Sequence, residues 1–596
     1  MIDWLHPGLT FIFGALFIPL FNGKIRQAYI LLLPIFSGII LLNMPDGNGY
    51  IVNFLSYELT LARVDKLSMV FGYVFVIMAF IGFIYSIHLK DSGQHVAASL
   101  YIGSSLGVIF SGDFISLFIF WELMALSSTY LIWARKTKAS HDAGFRYLLI
   151  HILGGLCLFV GIIMNVAQTG SIALNILQLS GPASYFILIG FILNAAVPPF
   201  SAWLSDAYPE ATITGAVFLS AFTTKTAVYV LIRVFPGTEI LVWLGAIMAF
   251  YGVIFAVLAN DIRRLLAYHI ISQVGYMVAG VGMGTALALN GSVSHAFSHI
   301  LYKSLLFMGA GAVLHMTGKS KLTELGGLYK TMPITLTLYM IGGLSISAFP
   351  LFSGFVSKSM IVTAVAEKHL TIIWLLLSVS SVGTFLHTGL KLPYFTFFGK
   401  DSGLRAKDPP VNMIIAMGIA SFLCILIGVY PDVLYKLLPF AASYTPYTGE
   451  HVVWTMQILL FTALGFFLLL KHLGGEPYIT IDTDWFYRKG VSYFMWFINS
   501  PMSQFSAWLN KIIFVIIPLY LVWISKNPVA MMKIVSDNVL LRFSSPKKSA
   551  QIKHRIQKEK EIYPGEIINH WPIGPTILWI TLLLLVYILI AYLVNT

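Results

Sequence analysis

Charged side chains are scarce in this chain: Asp, Glu, Lys and Arg make up 10% of its 596 residues, whereas hydrophobic residues make up 58%. The mean hydropathy is +0.83, and in soluble globular proteins about a quarter of the residues are charged. Apolar runs of about 18 residues or more, the length that crosses a bilayer, recur along the whole chain. This composition excludes a soluble protein and predicts an integral membrane protein.

Cysteine is nearly absent as well. The two cysteines, Cys157 and Cys424, lie in apolar runs and show no metal-ligand spacing. They exclude a disulfide framework and an iron–sulfur site, and we interpret both as small buried side chains. No cofactor motif occurs elsewhere, so we expect no cofactor, no metal and no redox chemistry in this chain itself.

Acidic residues are outnumbered, since 25 Asp and Glu stand against 37 Lys and Arg, a formal net charge of +12. The surplus includes a basic run at 547–560, close to the last apolar span. Basic residues beside membrane spans bind anionic lipid headgroups or an acidic partner subunit. We therefore expect anionic lipids and other membrane subunits as partners, and no nucleic acid.

The apolar runs predict about sixteen membrane-spanning helices, and so an all-α, multi-pass protein of the cell inner (plasma) membrane. The first run follows no basic stretch and contains no small-residue cleavage site. We expect it to be a retained helix, not a signal peptide.

Proline interrupts two of these spans, at Pro198-Pro199 within 183–204 and at Pro350 within 332–366, and both breaks read Pro-x-Phe-Ser-small-aromatic. Proline removes a backbone donor, and lipid tolerates the freed carbonyls only where protein or water satisfies them. The breaks therefore indicate an ion path. They lie five helices apart, so the second copy enters the membrane from the opposite side, as in the inverted repeats of ion-coupled transporters.

The breaks suggest a division of the chain into six parts. These are N-terminal helices (1–94), a first inverted repeat (95–236), a second inverted repeat (237–400), additional helices (401–471), a lateral amphipathic segment (472–572) and an anchor helix (573–596).

Lys and Arg are concentrated in alternate loops. The poorer set of loops holds only Arg63, Lys66, Arg233, Lys368 and Lys436. The richer set should be cytoplasmic, which places both termini outside and 472–570 inside. The mixed apolar and basic character of that segment favours a helix lying along the membrane surface. The alternative is that 505–524 makes one more crossing, which would reverse the side of the C-terminus.

A charge inside the hydrocarbon is costly unless it is paired or hydrated, so each one is a candidate functional group. Glu122 lies mid-span with apolar residues on both sides, and Lys225 lies in a similar run. Desolvation favours the neutral amine of Lys225, which would let it exchange a proton near neutral pH. The two could pair across the bundle and act as a switch; the alternative is a static ion pair.

Three titratable residues recur every four positions in one span: His295, His299 and Lys303. That spacing places them along one helix face over roughly 12 Å. Histidine titrates near neutral pH, so such a ladder is suited to a proton relay. A metal site is disfavoured because no cysteine or carboxylate joins them.

Four further residues are candidates. Lys358 lies just after the second break and Lys391 in the next span, from which it could extend to the cytoplasmic interface. His151 and His269 lie in apolar spans and could equally be hydrogen-bonded core residues.

Several motifs together resemble the antiporter-like subunits of respiratory complex I, of Mrp-type sodium/proton antiporters (the D-like type) and of membrane-bound hydrogenases. The resemblance covers about 65–430, and the lateral segment with its anchor is similar to the most distal complex I subunit of this type. The motifs are Phe120-Trp121-Glu122-Leu123-Met124, Trp203-Leu204-Ser205-Asp206-Ala207, Lys225-Thr226-Ala227, Asp261-Ile262-Arg263-Arg264-Leu265-Leu266-Ala267-Tyr268 and the ladder of His295, His299 and Lys303.

The resemblance implies roles for these residues. Glu122 matches the essential glutamate of the family's fifth helix and Lys225 the lysine of its eighth. The ladder matches the relay between an inlet and an exit half-channel, and Lys358 matches the gating residue of the broken twelfth helix. One departure is Asn194, which stands where the family usually has a lysine. Ser201, Ser205 and Tyr208 also replace its common His, Pro and His.

The resemblance implies proton or sodium/proton translocation within a multisubunit assembly, possible hosts being an Mrp-type antiporter or a redox-driven, complex I-like or hydrogenase-like translocase. Two alternatives stay open: a proton-conducting subunit of an inorganic-carbon uptake assembly, which Asn194 permits, and a free-standing secondary transporter. The intramembrane polar residues form a line, not the cluster that a solute would need.

Overall fold

The computed structural model describes residues 5–54, 56–474, 482–563 and 573–595. The chain divides into two compact units, Met1–Trp485 and Phe486–Thr596. The first unit contains every candidate site residue.

In the first unit, nineteen helices and one hairpin follow each other along the chain. They are α1 (Pro7–Phe17), α2 (Gly23–Leu42), β1 (Gly47–Phe54), β2 (Tyr57–Val64), α3 (Lys66–Ser86), α4 (Ser92–Phe110), α5 (Phe114–Trp133), α6 (Lys138–Thr169), α7 (Pro182–Asn194), α8 (Ala202–Ala207), α9 (Ile213–Ala221), α10 (Thr223–Val234), α11 (Glu239–Leu258), α12 (Ile262–Met283), α13 (Ala286–Thr317), α14 (Pro333–Ile346), α15 (Ser353–Glu367), α16 (Thr371–Thr384), α17 (Val411–Val429), α18 (Asp432–Tyr435) and α19 (Gly449–Leu468).

Twelve helical stretches among the described residues are long and apolar enough to cross a membrane, and four shorter apolar helices accompany them. The predicted helical, multi-pass membrane fold is therefore confirmed. The count of sixteen spans and the inverted repeat stay predictions. The stretches that contain α9 with α10, α12 and α13 are the most enclosed, since protein covers them almost completely, and they form the centre of the unit.

The hairpin of β1 and β2 was not predicted from the sequence. The two strands pair antiparallel, with Gly47 opposite Val64 and Phe54 opposite Tyr57. It contacts the helices through Asp113, the N-cap of α5, whose carboxylate accepts the backbone N–H of Thr60 at 2.7 Å. The hairpin is therefore attached to the start of α5.

Both predicted breaks are present, between α7 and α8 and between α14 and α15, and they share one backbone geometry. Ala196 and Ala348, each two residues before a proline, have φ of 59° and 58°, a left-handed conformation that is uncommon for a residue with a side chain. The backbone N–H of Val197 donates to the Ile192 carbonyl, and that of Phe349 donates to the Leu344 carbonyl, five residues earlier and at 3.1 Å in both cases. The two breaks can therefore be matched residue by residue.

A third interruption, which the sequence did not indicate, separates α9 from α10 at Phe222. Its backbone angles are φ −101° and ψ −68°, and the N–H of Thr223 donates to the Tyr101 hydroxyl at 3.0 Å. The Ser220 carbonyl loses its helical partner and accepts the Lys225 amine at 2.5 Å instead. The break therefore fixes the position of the lysine.

α16 continues as a π-helix over Phe385–Lys391, and a second π segment follows at Tyr394–Phe398. π-turns are frequent at functional sites because they displace side chains from the regular helical register. The widened turn carries His387 and Lys391.

The second unit contains α20 (Asp484–Phe497), α21 (Ser503–Asn510), α22 (Ile517–Lys526), α23 (Pro528–Arg542), α24 (Pro546–Ile562) and α25 (Ile573–Asn595). Helical turns continue without a gap across Ser492–Lys526, a 35-residue stretch that is apolar enough to span a membrane and has none of its residues buried. Both the surface helix and an additional crossing at 505–524 are compatible with such a stretch, so this alternative stays open. α23 and α24 pack as a helical pair, with Arg555 donating to Asp537 at 3.0 Å.

Candidate ion-translocation site

Glu122 lies in the middle of α5 and is half-buried. Its Oε1 atom has no hydrogen-bond partner among the described residues. The carboxylate lies against Gly155 of α6, where a Cβ atom would collide with it. Glycine at 155 therefore provides the space that the Glu122 carboxylate occupies.

The suggested pairing of Glu122 with Lys225 is not present. Neither residue forms an ion pair with the other in the described structure, because the carboxylate faces Gly155 and the amine donates to the Ser220 carbonyl. The sequence did not indicate that the helix break at Phe222 would free the Ser220 carbonyl to accept a hydrogen bond from Lys225.

His151 and Asn194 are neighbours inside the first predicted repeat. The imidazole lies one turn from Gly155 on α6 and packs between the rings of Tyr147 and Trp203, with centroid distances of 4.1 and 4.6 Å. Both side chains are buried, so each is a polar neighbour of the other inside the protein.

The ladder on α13 is joined by side chains of the antiparallel helix α12. The Lys303 amine lies 3.2 Å from His269 Nδ1, and the other nitrogen of His269 lies 3.2 Å from the Thr384 hydroxyl. Gln273 donates to the same hydroxyl at 3.3 Å and its carbonyl oxygen lies 3.2 Å from His295 Nε2. A continuous hydrogen-bonded chain thus runs from Lys303 to His295.

His295 extends this chain to α15, because its Nδ1 lies 3.2 Å from the Ser357 hydroxyl. His299 lies between His295 and Lys303 on the helix and is fully buried, with a centroid distance of 6.1 Å to His295. Neither nitrogen of His299 has a partner among the described residues. Side chains of α12 thus connect Lys303 with His295, and His299 lies beside this hydrogen-bonded chain without a bond to it.

Lys358 follows Ser357 and donates to the Ser381 hydroxyl at 2.8 Å. Its amine lies 4.8 Å from the ring centroid of Tyr276, a favourable position for a cation. The residue lines a cavity of about 500 Å³ whose wall includes Glu450 and His451 at the start of α19. The His451 ring stacks on Phe355 at 4.4 Å. This cavity lies beside the Lys358 end of the line.

Lys391 is positioned differently from the other lysines. Its amine donates to the carbonyls of Val257 at 2.5 Å and Ala259 at 3.5 Å, at the C-terminal end of α11. Cations at a helix C-terminus satisfy its orphan carbonyls and interact favourably with its dipole. The contacts favour a helix-capping role over a place in the path.

Replacing Lys391 by methionine is expected to lower the free energy of unfolding by about 1–2 kcal/mol, because the carbonyls lose their donor, and to leave transport by the folded protein intact. Thermal unfolding in detergent together with transport measurements tests this. Loss of transport without loss of stability would instead place Lys391 in the ion path.

Sequence reasoning missed several residues in or beside this hydrogen-bonded chain. One is His387, whose ring centroid lies 4.8 Å from that of His269. Gln273 and Thr384, which connect the ladder, were missed as well. A polar residue within an apolar span was the available signal for all three. Among the described residues no group of three or more His, Cys, Asp or Glu side chains could hold a metal ion.

Two broken helices and a buried line of lysine and histidine side chains define the class of antiporter-like membrane subunits. Residues 111–384 match the family described as NADH:quinone oxidoreductase/Mrp antiporter, transmembrane. This region of the chain belongs to that family, and the predicted resemblance is confirmed.

Individual relatives extend the similarity beyond that region. The chain is 30% identical over 503 residues to a Na(+)/H(+) antiporter subunit of the A type from Alkalihalophilus pseudofirmus, and the match covers 72% of this chain and 62% of that protein. The chain thus spans less than two thirds of this relative's length.

Two solved structures are similar in fold. One is a chain of the membrane-bound sulfane sulfur reductase, an archaeal respiratory membrane complex, with a TM-score of 0.68, 25% identity and coverage of 80% of this chain and 86% of that one. The other is a chain of the Mrp complex from Dietzia sp. DQ12-45-1b, with a TM-score of 0.64, 18% identity and coverage of 76% and 98%. These relatives are subunits of multisubunit membrane assemblies.

Proposed function

We propose that this chain moves protons, or exchanges sodium for protons, across the membrane as one subunit of a multisubunit assembly. The observation that carries the proposal is the hydrogen-bonded chain from Lys303 through His269, Thr384 and Gln273 to His295 and Ser357. The lysine and the two histidines can take up and release a proton, and Thr384 and Gln273 join them by hydrogen bonds. Such a line conducts protons without a wide pore.

The path begins in this proposal at Glu122 and His151, continues to Lys225 and the ladder, and ends at Lys358. Among the described residues Lys225 has only a carbonyl as partner, so no carboxylate in that part of the chain fixes its charge. Lys358 opens on the cavity beside His451, which provides the release route. The buried amines then alternate between charged and neutral forms as a proton passes.

The partners proposed here are other membrane subunits, the transported H⁺ and Na⁺, and anionic lipids of the plasma membrane. The basic helix α24, which carries Lys547 and Lys548, has the composition for contact with lipid headgroups. The assembly's other subunits would supply the energy, because the sequence offers no cofactor motif of its own.

The experiment uses everted membrane vesicles from cells that produce the chain with its assembly. Respiration acidifies the vesicle interior, and a pH-sensitive dye then reports proton efflux when NaCl is added. Sodium-dependent efflux supports exchange. A flux that follows redox turnover and is independent of sodium supports proton translocation. The absence of both responses would contradict the proposal.

His299→Gln is expected to reduce this flux by about a hundredfold, since relay groups contribute factors of that order and the substitution breaks no hydrogen bond to a described residue. His315→Gln is the matched control, because His315 lies on the same helix but is exposed. Equal fluxes in the two variants would show that His299 lies off the path.

A further inference from the structure

Asp482 is a buried carboxylate that the proposed path does not use. It is 5% exposed, belongs to the first unit and comes two residues before α20 begins. Tyr251 of α11 donates its hydroxyl to one carboxylate oxygen and Tyr268 of α12 donates to the other at 2.5 Å. The backbone N–H of Thr483 donates to the first oxygen at 2.6 Å. Every partner in this set is neutral.

The contact of Asp482 with the first break is made through Ser205 of α8, whose hydroxyl lies 3.4 Å from its Oδ2. Ser205 is nine residues after Ala196, and Ser357 is nine residues after Ala348, the two left-handed alanines. Ser205 is therefore the counterpart of Ser357 when the two breaks are matched. Ser357 forms a hydrogen bond with the relay residue His295, and Ser205 likewise contacts a titratable group, Asp482.

Two charged residues on the elements packed around Asp482 are engaged elsewhere. Asp206 of α8 forms a two-point ion pair with Arg146 at 2.7 and 3.0 Å. Arg263 of α12 donates to the carbonyls of Tyr208 and Ala211. No lysine, arginine or histidine of the described residues lies within ion-pair distance of Asp482. An ionised carboxylate is here stabilised by hydroxyl and amide donors alone.

We propose that Asp482 is a proton-binding residue of the first break, contributed to the path by the segment that follows α19. The ionised form accepts the two tyrosine hydroxyls. On protonation, the new carboxyl O–H donates to one tyrosine oxygen, whose own hydrogen rotates away, so both forms keep hydrogen bonds. The proton is taken from water or a neighbouring path group, and it is returned in the next step. The assignment deepens the proposed function and rests on it.

A hydrophobic carbodiimide tests the assignment, because it modifies buried carboxyl groups only in their protonated form. The purified assembly is labelled at a series of pH values from about pH 4 to about pH 9, a range that begins near the ordinary pKa of an aspartate, about 3.9. Mass spectrometry of the digested chain then measures the adduct at Asp482. The adduct is expected to decrease progressively with rising pH. A yield at Asp482 that is nil or constant throughout would overturn the proposal.

The tyrosines provide a second measurement. Tyr251→Phe with Tyr268→Phe removes both hydroxyl donors to the ionised form, so the pH of half-labelling at Asp482 is expected to rise. An unchanged midpoint would show that the hydroxyls do not stabilise the charge, which would contradict the proposed site.

Transport measurements provide a third test of the assignment of Asp482. Asp482→Asn is expected to slow transport by at least about tenfold and to alter its pH profile, while Asp482→Glu restores part of the rate. Asp401→Asn is the control, because Asp401 forms an exposed ion pair with Arg405. A wild-type pH profile in Asp482→Asn would contradict the assignment. Wild-type protein that titrates at Asp482 but moves no ions would refute the proposed function and leave the proton-binding site in place.

Discussion

Replacing Lys225 by methionine is expected to abolish ion translocation, with a loss of about a hundredfold or more. Methionine keeps much of the apolar stem and removes the one cation at the break between α9 and α10. The amine donates only to the Ser220 carbonyl, so its charge is not neutralised by a carboxylate and can change during transport. Dye-monitored proton flux in vesicles that hold the assembly measures the effect.

Lys436→Met serves as the control for this substitution, because Lys436 is exposed and follows the short helix α18. It is expected to transport at the wild-type rate. The Ser220 carbonyl loses a donor in Lys225→Met, so the amount of assembled protein must be measured alongside the flux. Wild-type flux per assembled complex in Lys225→Met would exclude this lysine from the path.

Gly155→Ala is expected to reduce transport by about ten- to a hundredfold without unfolding the protein, because the added methyl group would occupy the space of the Glu122 carboxylate. The carboxylate must move, and displacement of a reacting group by about 1 Å can cost a factor of that size. The measurement is the same vesicle flux, normalised to assembled protein.

Gly154→Ala is a closely matched control, since a Cβ atom there would meet only the flexible end of Leu193 at 3.2 Å. The double variant Gly155→Ala with Glu122→Asp tests the mechanism, because the shorter side chain makes room for the methyl group. Partial recovery relative to Gly155→Ala alone is expected, since the two residues are in contact and their effects should not add. Additive losses would show that Gly155 acts on something other than Glu122.

The two proline breaks could be predicted from the sequence because proline disrupts a helix by a local mechanism. The break at Phe222 could not, since it depends on the Tyr101 hydroxyl, which α4 brings to Thr223. For the same reason the sequence could only suggest a pairing of Glu122 with Lys225, which the described structure lacks, since Glu122 lies against Gly155 and Lys225 donates to the Ser220 carbonyl. A charged residue within a membrane span can be identified from the sequence as a candidate functional residue, but the residues that it contacts cannot.

The ladder shows a similar limit at a finer scale. Its four-residue spacing predicted a shared face for His295, His299 and Lys303. The side chains that join it, His269 and Gln273, have the same spacing on α12, but only the antiparallel packing of the two helices brings them opposite the ladder. Asp482 is separated from Tyr251 and Tyr268 by more than 200 positions, so no local sequence pattern could associate it with the first break.

The most direct test of the relay is proton flux through the reconstituted assembly in proteoliposomes, with wild-type chain and with Lys303→Met. Lys303 is fully buried and is the first member of the chain that continues through His269. Flux is expected to fall to the level of liposomes without protein while the assembly remains intact. Wild-type flux through an intact assembly that contains Lys303→Met would contradict the central claim that protons move along this buried line.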